Sequence, residues 1–201
     1  RVDLRLCGDL ADDLLRHGSV QLFIKRAQAV EPHLVPDRHF VATTAAICRR
    51  LDGIPLAIEL AAAHAETLSP TEILGGLGTT VRLESRGHGV EDRHRTLEDA
   101  VAWSYDLLDP DAQLVFDRLA VCAGGATSAA VNAVCGAGAL SDAAVAASLR
   151  TLVRSSLLVV DRSEVETRYR QLATLREFAM RRLIARGEAE ATAARHLTWS
   201  A

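Results

Sequence analysis

The chain has 201 residues, 49% in the hydrophobic class and 24% charged, with a mean hydropathy of +0.10, a composition that excludes a disordered or fibrous chain and leaves room for one or two globular domains. A formal net charge of −3 and a pI near 6.2 exclude a uniformly basic nucleic-acid binder, whose affinity would come from neutralising phosphates. Aromatic residues, at 4%, are too few for the stacking platforms of single-strand readers.

Val2, Leu4 and Leu6 alternate with Asp3 and Arg5, the period of a short terminal strand. Val20, Phe23, Ile24 and Ala27 then follow a helical period, with Ser19 placed as N-cap and Pro32 as the stop. Pro36-Asp37 introduces a second helix over residues 40–51, ended by Gly53, and Pro55 opens a third, apolar nearly all round, to His64. Ser69-Pro70-Thr71-Glu72 is a capping box that opens a short fourth helix through Leu77. Glycines at 75, 76, 78, 87 and 89 mark the stretch 75–93 as the domain boundary.

Beyond it, Thr96 reads as the cap of a helix with Leu97, Val101, Tyr105 and Leu108 on one face, and Asp109-Pro110 caps the next. Residues 128–134 and the serine-capped 141–153 follow as helices; residues 156–161 and 166–172 flank a polar turn, the signature of a β-hairpin. Helices followed by a two-stranded hairpin are the sequence form of a winged helix. Residues 174–186, and those from Glu188 on, read as amphipathic, arginine-rich helices. The predicted fold is mainly α: a helical subdomain followed by a winged-helix domain with a small β-hairpin wing.

Four widely spaced cysteines (Cys7, Cys48, Cys122, Cys135) without a C-x-x-C pair point to reduced, packed thiols and a cytoplasmic protein. No apolar run reaches membrane-spanning length and no signal-peptide core is present. The chain begins at Arg1 and its only methionine is Met180, so it reads as a processed or excised piece of a longer protein. His88 and His94 neighbour Glu91 and Asp92, but without tight ligand spacing no metal site is predicted. His64 reads either as a buried, hydrogen-bonded ring or as an exposed cation at a helix C-terminus. Neither a G-x-S-x-G elbow nor a cysteine–histidine pair occurs, so no catalytic residue is assigned.

The stretch Cys48-Arg49-Arg50-Leu51-Asp52-Gly53-Ile54-Pro55-Leu56-Ala57-Ile58-Glu59-Leu60 resembles the G-x-P region of STAND-class, NB-ARC-like signalling ATPases in the form found in large bacterial transcriptional regulators. Three further stretches fit in order: Arg93-His94-Arg95-Thr96-Leu97 through Trp103-Ser104-Tyr105-Asp106-Leu107-Leu108, then residues 119–125, then residues 169–183 with Thr174, Arg176, Glu177 and Phe178. The resemblance implies a remnant of a nucleotide-binding domain at 1–17, an ARC1-like helical subdomain at 18–80, a linker at 81–93, an ARC2-like winged helix at 94–172, and C-terminal helices at 173–201 leading to helical repeats. It implies that Gly53 and Pro55 lie on the adenine side of a bound nucleotide and that Arg176 has the charge to approach a phosphate. The histidine and aspartate of the family's phosphate-sensing Met-His-Asp stretch fall on Leu172 and Ala173, so that sensor does not carry over.

No G-x-x-x-x-G-K-[ST] occurs, so ATP or ADP would be bound by the complete parent, with tight binding and hydrolysis not expected of this chain alone. The implied partners are a preceding P-loop domain and following helical repeats, with self-association of the isolated chain, and with DNA bound through another module. A free-standing winged-helix DNA-binding protein is the alternative; its recognition helix at 141–153 would offer only Arg150 among Ala143, Ala144, Ala146, Ala147 and Leu149.

Overall fold

The computed structural model describes residues 13–80, 90–138, 140–162 and 166–200, so the expected strand at 2–7 lies outside the described residues. Two units divide the chain, one up to Ser104 and one from Tyr105 on. In the first, helices α1 (Gly18–Val30), α2 (Arg38–Arg50), α3 (Pro55–Ala63, running into a 3-10 turn at His64–Glu66) and α4 (Pro70–Thr80) precede α5 (Val90–Asp106), most of which belongs to this unit. The core is nearly all aliphatic and alanine: Val20, Phe23 and Ala27 of α1 meet Phe40, Val41, Ile47 and Cys48 of α2, Ala57, Ile58, Ala61 and Ala62 of α3, and Ile73 and Leu77 of α4. The small alanines of α3 let α1 pack against it, and that helix is apolar except at the half-buried Glu59.

Local chemistry accounts for most of the helix ends. Asp37 caps α2 by accepting from the Phe40 amide at 2.7 Å, and Pro55 occupies the first position of α3, where no amide hydrogen is needed. Glu72 reaches back to the Ser69 amide at 2.7 Å while the Ser69 hydroxyl accepts from the Glu72 amide at 3.3 Å, the reciprocal bonding of the capping box. Three expectations need correction. Helix α1 starts at Gly18, so Ser19 lies inside it and does not cap it. Helix α4 continues to Thr80 and takes in Gly75, Gly76 and Gly78; a Cβ on Gly76 would stand 2.7 Å from Nε1 of Trp103, so this glycine serves close packing and not a linker. Helix α5 begins at Val90, placing Thr96 in its interior.

The second unit contains α6 (Pro110–Leu119), a two-residue strand β1 (Ala126–Thr127), α7 (Ser128–Val131) continued by a π-helical segment at Asn132–Gly136, α8 (Asp142–Arg154), strands β2 (Val159–Asp161) and β3 (Arg168–Arg170), and helices α9 (Ala173–Ala185) and α10 (Ala189–Ser200). Side-chain caps from Asp109, Thr127 and Ser141 start α6, α7 and α8. The wing has three strands, against the two expected of a hairpin. β1 and β2 both pair antiparallel with β3, in the order β1-β3-β2, with Ala126 and Val160 opposite Tyr169. Gly125 (φ 79) admits β1 to this edge: a Cβ there would stand 2.9 Å from the Tyr169 carbonyl oxygen. α6 packs on α8 and α9, and α10 packs on the π segment.

Charge is buried at the centre of this second unit. The fully buried Asp117 carboxylate accepts from Arg186 Nε at 2.6 Å and from the Tyr105 hydroxyl at 2.9 Å. Arg118 donates to Glu188 at 2.7 Å and to the Cys135 carbonyl at 2.7 Å; Arg195 donates to the Val134 carbonyl at 3.0 Å. Two guanidinium groups thus satisfy carbonyls at the end of the π segment, where a cation is also favoured by the helix dipole. Tyr105 lies edge-on to Phe178, ring centroids 5.5 Å apart, and the Arg182 guanidinium stands over the Tyr105 ring at 4.9 Å.

Candidate functional site

Between α2 and α3 the chain turns within residues 51–54. Asp52 (φ 51) and Gly53 (φ 66) both take left-handed backbone, and the Gly53 amide donates to the Cys48 carbonyl at 2.9 Å, closing the end of α2. A Cβ on Gly53 would meet nothing within 4 Å, so glycine is required there by conformation alone. Aspartate tolerates the left-handed region better than most residues. At Asp52 the conformation is also tied down: the Thr96 hydroxyl of α5 donates to Asp52 Oδ2 at 2.7 Å and lies 3.0 Å from the Asp92 carbonyl oxygen. The residue read as a cap is therefore the brace of the turn.

Two open clefts flank this turn. One, of about 410 Å³, is lined by Asp52, Gly53, Ile54, Pro55, Arg93, His94 and Leu97; the other, of about 350 Å³, shares Asp52 and Gly53 and adds His17, Val20, Cys48 and Arg49. An apolar floor with a few convergent polar groups in this size range is the usual form of a small-molecule site. Gly53 and Pro55 thus face one cleft together, and Arg93 and His94 complete it from about forty residues away in the chain. That contribution had no signal in the local pattern of the G-x-P turn. Arg176 belongs to the second unit, half-buried on the first turn of α9. Gln171 donates to the Phe116 carbonyl at 2.8 Å, and Leu172 is exposed at the N-cap of α9.

The titratable groups near the first site offer no nucleophile or metal set. Burial pushes the Cys48 thiol up to about 11, so at neutral pH it is a packed thiol. Among the described residues no group of three His, Cys, Asp or Glu is placed to hold a metal ion; His88 lies outside them. His64 is buried, its Nε2 has no hydrogen-bond partner, and its ring sits edge-on to Trp103 at 4.8 Å. It is neither the hydrogen-bonded ring nor the exposed cation that the sequence suggested: desolvation holds it neutral, with its pKa lowered to about 4.

A third cleft, of about 420 Å³, lies in the second unit between α8 and the wing, with Leu149, Arg150, Val153 and Arg154 on one side and Val160, Arg162, Thr167 and Tyr169 on the other. The exposed positions at the start of α8 are Asp142, Ala143 and Ala147.

Residues 108–184 match the winged helix-turn-helix domain, in agreement with the helices and three-stranded wing of the second unit. Over 173 residues, 86% of the chain, the sequence is 44% identical to the candidate HTH-type transcriptional regulator Rv0890c of Mycobacterium tuberculosis, and equally to its counterpart Mb0914c of Mycobacterium bovis. It is 38% identical over 187 residues to the uncharacterized protein Rv0894 of M. tuberculosis. The chain spans about 20% of the length of the first two relatives and 47% of the third. Similarity to HTH-type regulators therefore extends over the helical unit as well as over the winged helix. Among the described residues, no helix is long and apolar enough to cross a membrane.

Proposed function

We propose that this chain is the helical and winged-helix portion of a STAND-type nucleotide switch in a cytoplasmic transcriptional regulator, and that it relays the state of a nucleotide held mainly by a separate P-loop domain. The observation that carries this reading is the braced Asp52-Gly53-Ile54-Pro55 turn, whose glycine and proline line one open cleft with Arg93 and His94. Pro55 offers a rigid, NH-free apolar face for a purine ring, and the missing phosphate-binding loop leaves the triphosphate to the partner domain. Support also comes from the relatives, which are much longer than the shared region and of which two carry regulator names. On this reading ATPase activity belongs to the complete parent, helical repeats follow α10, and the isolated chain self-associates through surfaces meant for its neighbours.

Expressing the chain together with the coding sequence on its N-terminal side tests the reading. A P-loop there, with ADP retained through purification and Pro55→Ala weakening its binding about tenfold, is the expected result. Absence of a P-loop, or an ADP affinity indifferent to Pro55→Ala, sinks it. Direct DNA reading by this winged helix is the second possibility, favoured by the domain match; the methyl groups of Ala143 and Ala147 on the exposed face of α8 argue for DNA being bound by another module. A gel shift on random duplex that persists at physiological salt would reverse that assignment.

A further inference from the structure

The cleft between α8 and the wing plays no part in the nucleotide reading. We propose that it is a docking groove for an acidic peptide segment of a protein partner, one that seats an aliphatic or aromatic side chain between flanking carboxylates. The floor of the groove is apolar: Leu149 is buried, and Val153 and Val160 are half-buried, from opposite walls. Its rim is cationic, with Arg150 on the helix and Arg162 at the end of β2 both exposed, and neither ion-paired among the described residues. No carboxylate lines the groove among the described residues. Tyr169, half-buried on β3, adds an amphipathic wall suited to a peptide backbone.

Charge and apolarity together select the occupant. A phosphodiester backbone would match the arginines but leave the valine and leucine floor unused, and α8 supplies alanine where a major-groove reader needs donors and acceptors. A peptide that places one large apolar side chain on the floor and carboxylates against Arg150 and Arg162 uses both features, and opposite potentials across such a contact set its specificity and on-rate. The proposal does not depend on a nucleotide being bound anywhere in the parent.

Fluorescence anisotropy on the intact 201-residue chain tests this, with a fluorescein-labelled peptide Gly-Asp-Glu-Leu-Trp-Glu-Leu-Glu-Asp-Gly as probe. The control peptide replaces each acid by its amide, and a labelled mixed-sequence DNA duplex serves as competitor class. The acidic probe is expected to bind at least about tenfold tighter than the amide control, and Arg150→Glu and Arg162→Glu each to weaken it about fivefold or more. Arg38→Glu, an exposed change on α2, should leave binding unchanged; Val160→Ser should weaken both peptides, since it removes floor and not charge. Circular dichroism confirms that each variant is folded. Equal affinity for the two peptides, no binding of either, or binding indifferent to Arg150 and Arg162 overturns the proposal. Duplex DNA that binds more tightly than the acidic probe and is lost with the same two arginines overturns it in favour of nucleic acid.

Discussion

The helical unit and the winged-helix unit solve the problem of burying polar groups in opposite ways. The first buries His64 edge-on against Trp103, offers Nε2 no partner, and by desolvation keeps the ring neutral. The second buries the Asp117 carboxylate and compensates it with Arg186 and Tyr105; burial still pushes that carboxyl above its ordinary range, against the pull of both partners. An uncompensated neutral ring makes a unit sensitive to acid, whereas a compensated charge makes it sensitive to loss of the partner. Each can be broken separately.

Arg186→Met is expected to have the largest effect. It strands Asp117 in the core, and with the Arg186 side chain 33% exposed, toward the low end of what breaking a buried pair costs, the second unit should lose about 3 kcal/mol. Urea unfolding with hydrogen exchange read separately for residues before and after 104 would locate the loss in the second unit; an even loss across both would contradict the comparison.

Acid should act on the first unit. His64 titrates near 6.5 when unfolded and at about 4 when folded, so the unfolded chain takes up the proton first. Stability is complete above pH 6.5 and falls progressively as the pH drops toward about 4, by about 2–3 kcal/mol in all. Asp117 has the opposite sign: its raised folded value means that protonation in acid favours the folded second unit. Hydrogen exchange at pH 4.5 should therefore show the first unit opening before the second, and His64→Leu should abolish that order.

Glycine-to-alanine changes sharpen the contrast on a smaller scale, at about 1–2 kcal/mol each. In Gly76→Ala the gain in helix propensity is outweighed because the new methyl would stand 2.7 Å from Nε1 of Trp103, a buried indole already in contact with His64 that would have to shift to admit it. In Gly125→Ala the left-handed backbone and the Tyr169 carbonyl both oppose the methyl, so β1 should detach from the wing. Thermal melts of each variant check the magnitudes. Ser69→Ala, which removes one half of an exposed capping box, should cost least, about 1 kcal/mol.

The legible parts of the fold were those written in adjacent residues. Asp37, Asp109 and Ser141 cap the helices their positions predict, and Ser69 and Glu72 bond reciprocally. Thr96 misled because a helix interior can also hold a threonine whose hydroxyl bonds elsewhere, here to an aspartate 44 positions back. β1 is two residues long, too short to show a period. Of the candidate cleft, Gly53 and Pro55 could be read as a turn with a ligand-facing proline, whereas Arg93 and His94 join them only through the packing of α5. Asp117 and Arg186, 69 residues apart, carry no mutual signature in the sequence.

The arginines that finish the π segment have a consequence for how the molecule is made. Arg118 reaches Cys135 across 17 residues and Glu188 across 70, while Arg195 reaches Val134 across 61. Helix α1, by contrast, packs against α2 and α3, its next neighbours along the chain. Contacts between distant residues must close long loops before they stabilise anything, which slows folding. On the ribosome the helical unit can therefore assemble while synthesis continues, but the winged helix must wait for its last helix to emerge. Until Arg186 and then Arg195 have emerged, the charge of Asp117 lacks its guanidinium and the Val134 carbonyl lacks its donor, and the nascent winged helix is the part of the molecule most exposed to proteolysis and to chaperones.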